Sequence, residues 1–98
     1  MLYEKNENIV RRTVYKSYFL IDICKNFTDD VFDMIEINEI GNFIWNVLDN
    51  IHDKEQIAAS LLKEINGDVE YDEVYSDVSD FIDMLVSKSC LREVENNE

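Results

Sequence analysis

The side chains of this chain that could do chemistry are few, and their spacing does not bring them together. No nucleophile–base pair surrounds the single histidine, His52, which falls in a bend between two helical segments and reads as a polar turn residue near a helix C-terminus. Cys24 and Cys90 stand alone, without Cys-x-x-Cys spacing or histidine company, whereas zinc and iron–sulfur sites draw on several such ligands at short spacing. They read as reduced thiols of a cytoplasmic protein, and a disulfide between them is left undecided. Asp29-Asp30 lacks the interleaved aspartates and glycine of a calcium loop and reads as loop. A chain with 2 glycines has no glycine-rich loop to cradle a phosphate. Carboxylates are so numerous that no acid–base pair stands out. The expectation is a chain that is not an enzyme, holds no cofactor and no metal, and works by binding.

The residues left for binding are aromatic. Tyr71, Tyr75 and Phe81 sit at helical spacing and read as core or as interface, with core the simpler reading. Trp45 reads as core. Charge narrows the choice of partner. The 98 residues carry a net charge of −13, a surface that repels phosphate backbones and anionic membranes. The first 25 residues hold five basic side chains (Lys5, Arg11, Arg12, Lys16, Lys25) against three acidic ones (Glu4, Glu7, Asp22), so the excess of acid lies in the remainder. Such a surface steers a basic segment or a basic patch of a larger protein, or simply solvates one face. No apolar run approaches the roughly 18–20 residues of a membrane span, and the N-terminus has no apolar core of a signal peptide.

The elements that must position these residues follow from periodicity. Residues 1–8 and 95–98 are polar and are expected to fray at the ends of a single domain over 1–98. Ile9–Tyr15 and Ser17–Ile23 are rich in β-branched and aromatic residues and predict an antiparallel hairpin broken at Lys16-Ser17. The second run, Tyr18-Phe19-Leu20-Ile21, is apolar on both faces. Cys24–Asp30 reads as a loop, and Phe32–Ile37 as a third strand with Phe32, Met34 and Glu36 on one face and Asp33, Ile35 and Ile37 on the other. Asn38 caps a helix whose stripe is Ile40, Phe43, Ile44, Val47, Leu48 and Ile51. Gly41 inside it costs about 1 kcal/mol relative to alanine and implies a close neighbour, for which Trp45 is the candidate. Asn50 is able to take the left-handed conformation at the helix exit. Asp53 and Gln56 form a capping box for a second helix to about Ile65. A third helix opens at Glu70 or Tyr71 and carries Tyr71, Val74, Tyr75, Val78, Phe81, Ile82 and Leu85 on one face and Asp72, Glu73, Asp77, Asp80 and Asp83 on the other. The order is three strands, then three helices, with Leu91 and Val94 as a short apolar coda.

Ile37–Asn50 (I-N-E-I-G-N-F-I-W-N-V-L-D-N), Asp53–Leu62 (D-K-E-Q-I-A-A-S-L-L) and Asp77–Leu85 (D-V-S-D-F-I-D-M-L) resemble the PqqD-like family of RiPP recognition elements. The specific part is the motif L-N-x-x-G-x-x-I-W-x-L-L-D-G, matched at Ile37, Asn38, Gly41, Ile44, Trp45, Leu48 and Asp49, with the likeness covering about residues 9–94. Three positions depart from it. Asn50 replaces the glycine after the Leu-Asp pair, Asp53 replaces a helix-opening threonine, and Ser89 replaces a glycine before the C-terminal apolar pair.

The resemblance implies an α+β, winged-helix-like fold, a three-stranded antiparallel sheet followed by three helices. It also implies a stand-alone chaperone that binds the leader of a ribosomal precursor peptide and presents it to a modifying enzyme, in this family often a radical SAM protein. The leader adds as a strand beside the third strand, here Phe32, Asp33, Met34, Ile35, Glu36 and Ile37. It lies against the third helix, through Val74, Asp77, Val78, Phe81 and Leu85. Asn38, Gly41, Trp45 and Asp49 are then the structural motif. Two other readings remain beside this one. One is an adaptor subunit of a larger enzyme without peptide cargo. The other is a winged-helix nucleic-acid binder, which the acidic helices disfavour.

Overall fold

The structure, a computed structural model, describes residues 1–23, 34–65 and 67–95. Its centre is the expected hairpin of β-branched and aromatic residues. Strand β2 (Ile9–Val14) pairs antiparallel with β3 (Ser17–Asp22), and β3 pairs antiparallel with β4 (Met34–Ile37), giving the order β2-β3-β4. The register sets Arg11, Leu20 and Ile35 in one cross-strand row and Arg12, Phe19 and Glu36 in the next. Because Val14 pairs with Ser17, the turn is Tyr15-Lys16, one residue earlier than the Lys16-Ser17 break that composition suggests. Tyr15 adopts φ 56°, the left-handed conformation that asparagine or glycine usually supplies in a two-residue hairpin. The loop expected at Cys24–Asp30 and the first residues of the third strand, Phe32 and Asp33, lie outside the described residues.

The N-terminus does not fray as expected. Leu2–Lys5 form a strand, β1, antiparallel to β5 (Leu91–Val94) in a second sheet of two strands. Tyr3 is buried, its N–H donates to the carbonyl of His52 at 2.8 Å, and its own carbonyl meets His52 Nδ1 at 3.1 Å. His52 thus holds the N-terminal strand from the bend between the first two helices. Arg92 closes the pair with a 2.8 Å bond to Glu4. The partner strand comes from the far end of the chain, so no local pattern could reveal it. Glu95 follows β5 outside any element, and residues 96–98 lie beyond the described part.

The three helices sit where periodicity puts them. Helix α1 (Glu39–Val47) is capped by Asn38, α2 (Lys54–Glu64) by Asp53, whose carboxylate accepts from the Gln56 N–H at 2.9 Å, and α3 (Tyr71–Ser87) follows Glu70. Asn50 is not left-handed. Among the described non-glycine residues only Tyr15 and Ser89 have positive φ. Helix α1 instead ends in right-handed turns, with the Asn50 and Ile51 N–H groups both donating to the Val47 carbonyl. Leu20, Ile44, Leu48, Ile57, Val78, Ile82 and Leu85 are the largest enclosed side chains, so one sheet face and all three helices share a core. At the mouth of that core the Lys54 ammonium bonds Asp83 at 2.8 Å and Ser79 at 3.0 Å and lies 5.4 Å from the Tyr3 ring. Partial burial pulls its pKa down, but the bonds to Asp83 and Tyr3 outweigh that and hold it above the ordinary lysine value.

The exit of α3 shows what Ser89 does in place of glycine. Its φ is 64°, the Ser89 N–H donates to the Val86 carbonyl, and the Cys90 N–H reaches back to Leu85 at 2.8 Å. That is the paired bonding of a Schellman cap, made by a residue with a Cβ. The left-handed conformation costs an L-residue about 1–2 kcal/mol. Ser89→Gly is therefore expected to stabilise the fold by about 1 kcal/mol and raise the melting temperature by roughly 4–8 °C in thermal unfolding. An unchanged or lower melting temperature would mean that Ser89 is not held in that conformation in solution.

Candidate functional site

A three-stranded sheet has two edges, and here they differ in sequence. The β2 edge carries exposed Arg11 and Arg12, the kind of charge that blunts an edge against further pairing. Arg11 is also engaged, donating to Asn42 Oδ1 at 2.8 Å with its guanidinium 5.6 Å from the Tyr18 ring. The β4 edge, Met34–Ile37, carries one charge, Glu36. Among the described residues nothing pairs with its outer side. In an antiparallel ladder alternate residues direct both N–H and C=O towards the same neighbour, so every second residue of β4 directs its pair outward. Ile35 and Ile37 turn their side chains to the core while Met34 and Glu36 are exposed.

Strand β4 leads directly into the cap of α1, and a hollow of about 230 Å³ opens there. It is lined by Asn38, Ile40, Gly41 and Ile44 from the start of α1 and by Asp77 and Phe81 from α3. Asn38 Oδ1 accepts from the Gly41 N–H at 2.8 Å and fixes the first turn. The close neighbour of Gly41 is not Trp45. A Cβ at Gly41 would lie 3.0 Å from two atoms of the Phe81 ring and 3.1 Å from Ile37 Cβ. Gly41 therefore lets α3 approach the β4–α1 junction with a phenyl ring. Trp45, a full helical turn on, is buried on the side of β1, with the Lys5 ammonium 4.5 Å from its ring centroid. The same ammonium bonds Asp49 at 2.8 Å. Asn38 and Gly41 thus shape the hollow, and Trp45 and Asp49 together seat Lys5.

The named α3 residues divide by depth. Val74, Val78 and Leu85 are enclosed in the core, while Asp77 is exposed and Phe81 half-buried, and both reach the hollow. Ile40 is an addition. Periodicity puts it on the buried stripe of α1, yet it is 48% exposed and lines the opening. The available signal was its place in the first helical turn, where the stripe projects past the last core contact. Exposed Asp72, Glu73, Asp77 and Asp80 make the solvent side of α3 acidic. The arrangement can bind an extended segment with main-chain bonds, accept an apolar side chain at its end and favour a cation beside Asp77. A larger hollow of about 520 Å³ between β1 and the end of α3 is lined by Lys5 and Arg92, whose charges Asp49 and Glu4 already satisfy. Among the described residues no cluster of three or more metal-ligating side chains exists, and no helix is long and apolar enough to cross a membrane.

Comparison with known proteins bears on this geometry. The sequence model of the family described as "Coenzyme PQQ synthesis protein D (PqqD)" matches residues 29–91. Two solved structures share the fold. One is TbiB1 in complex with the TbiA(beta) leader peptide, with a TM-score of 0.73 and 18% identity, covering 95% of this chain and 99% of that one. The other is a lasso peptide synthetase B1 complexed with the leader peptide, with a TM-score of 0.72 and 16% identity, covering 95% of this chain and 100% of that one. No curated protein sequence matches the chain.

Proposed function

The chain belongs to the PqqD family, and we propose that it is a non-catalytic chaperone that captures the leader of a ribosomally made precursor peptide and presents it to a modifying enzyme. The observation that carries this reading is the β4 edge, unpaired among the described residues, running into the hollow at Asp77 and Phe81. The leader adds as a fourth strand beside Met34–Ile37, a mode in which main-chain bonds give affinity and alternate side chains give specificity. An apolar leader residue enters between Ile40, Gly41 and Phe81, and a lysine or arginine of the leader lies near Asp77. Val74, Val78 and Leu85 back the site from the core. Support comes from the two structures of the same fold, each holding a leader peptide. On this reading the hairpin and α1–α3 correspond to a winged-helix arrangement turned to peptide, and the modifying enzyme, a radical SAM protein among the options, supplies all the chemistry. The acidic α3 argues against the nucleic-acid alternative.

The test uses the alternation of the strand. One of the neighbours Ile35 and Glu36 directs its N–H outward and the other towards β3. Proline at the outward position removes a donor the leader needs, and proline at the inward one breaks the β3 ladder. Of Ile35→Pro and Glu36→Pro, one is expected to keep the wild-type melting profile yet lose about tenfold or more in leader affinity by isothermal titration. The other is expected to melt lower. A folded pair that both bind leader as tightly as wild type would rule out strand addition at β4.

A further inference from the structure

The sheet has a second face that neither the core nor the β4 edge uses. The register places Val10, Ile21 and Met34 in one row of it, Arg12, Phe19 and Glu36 in the next, and Val14 and Ser17 at the hairpin end. Ile9, Tyr18 and Ile35 on the opposite face pack against the core, whereas Val10, Phe19, Ile21 and Met34 do not. Val14 and Met34 are about half exposed, and Tyr15 at the tip is 98% exposed. This is the run Tyr18-Phe19-Leu20-Ile21 that the sequence makes apolar on both sides, with only one side covered by the described residues. We propose that a second copy of this chain covers it, sheet against sheet.

The charges single out that occupant. Arg12 and Glu36 flank Phe19, one on each neighbouring strand, both exposed. A two-fold axis between the sheets, parallel to the strands and passing over β3, carries β2 of one copy onto β4 of the other. Each Arg12 then faces the other copy's Glu36 across a stacked Phe19 pair, and the Val10-Ile21-Met34 rows oppose each other in reverse order. This is the self-complementarity that an isologous dimer requires, in the aligned geometry of a β-sandwich. The row is also electrically balanced on a molecule whose net charge is −13, so it is where two copies can approach with little repulsion. Strands about 4.8 Å apart and up to six residues long give a face on the order of 250 Å² per copy, below a standard interface, so the pair is weak and exchanging.

Sedimentation equilibrium of the whole chain between about 10 µM and 1 mM, at ~0.15 M salt, tests this, since screening over ~8 Å mutes the net repulsion and leaves a contact pair. Mass is expected to rise towards a dimer over that range. Arg12→Glu and Glu36→Arg, each opposing like charges, are expected to weaken dimerisation about fivefold or more, and the double variant R12E/E36R to restore it. Circular dichroism confirms that each variant is folded. A monomer at every concentration overturns the proposal, as does a dimer indifferent to all three variants. Nuclear Overhauser contacts from the Met34 methyl to the Phe27 or Phe32 ring of the same chain also overturn it, by giving the face to residues 24–33.

Discussion

Trp45→Ala is expected to lower the unfolding free energy by about 3–5 kcal/mol, which is a large share of the ~5–15 kcal/mol available to a domain of this size. The ring is 3% exposed, so its removal leaves a cavity among side chains that cannot all collapse into it. It also takes away the surface on which the Lys5 ammonium rests at 4.5 Å, and with it one tie between β1 and α1. In denaturant titration the midpoint should fall with little change in slope, and the melting temperature should drop by ~20 °C. Lys5→Met separates the two effects. It keeps an apolar stem over the ring and removes the charge, at an expected cost of no more than about 1 kcal/mol. A loss under ~1 kcal/mol for Trp45→Ala would show that the indole is not enclosed.

Gly41→Val is the second large effect, and it acts on binding more than on folding. The new Cβ would stand 3.0 Å from the Phe81 ring and 3.1 Å from Ile37 Cβ. The ring can swing, but Ile37 Cβ is anchored to a strand backbone and cannot. Overpacking costs about 1–3 kcal/mol, and relief from the glycine penalty offsets only about 0.3 kcal/mol of it, because valine is itself a poorer helix former than alanine. The displaced ring and the new methyls fill the hollow where the leader side chain is proposed to sit. Losing the burial of one apolar side chain, about 1.5–3 kcal/mol, corresponds to a roughly 10–100-fold weaker leader affinity. Calorimetry and thermal unfolding on the same sample read the two costs separately. Unchanged affinity in a folded Gly41→Val chain would place the leader elsewhere than this hollow.

The sequence announced the parts of this fold that depend on near neighbours. The Asn38 and Asp53 caps, the stripes of α1–α3 and the β2–β3 hairpin are all set within a few residues, where propensity and period decide. Gly41 announced a close approach but not its partner, because Phe81 lies on another helix forty positions away and Trp45 was merely the nearest large residue in the chain. Strand β1 was invisible for the same reason, since Leu2 and Tyr3 are too few to pattern and their complement lies at Leu91–Val94. At the candidate site, Asp77 and Phe81 were legible as helix-face residues. Whether a position on that face reaches the opening or the core depends on how α3 is rotated against β4, which no single helix encodes. Ser89 shows the reverse case, in which a glycine-like turn survives the loss of glycine because the bonds from Cys90 and Ser89 to the last turn of α3 hold it.

The β1–β5 pair also decides how the molecule answers to force. Leu2 lies opposite Val94 and Lys5 opposite Leu91, so the described chain starts and finishes at the same end of this ribbon. Tension applied through the two ends would peel the ribbon one rung at a time, Leu2–Val94 first, instead of shearing all its rungs at once. Peeling is the soft direction for a ladder. The clasp would give way while the β2-β3-β4 sheet, which lies outside the line of pull, kept its shape. A fluorophore or tether attached at either end would therefore report on the same small region, at the Leu2–Val94 end of the ribbon.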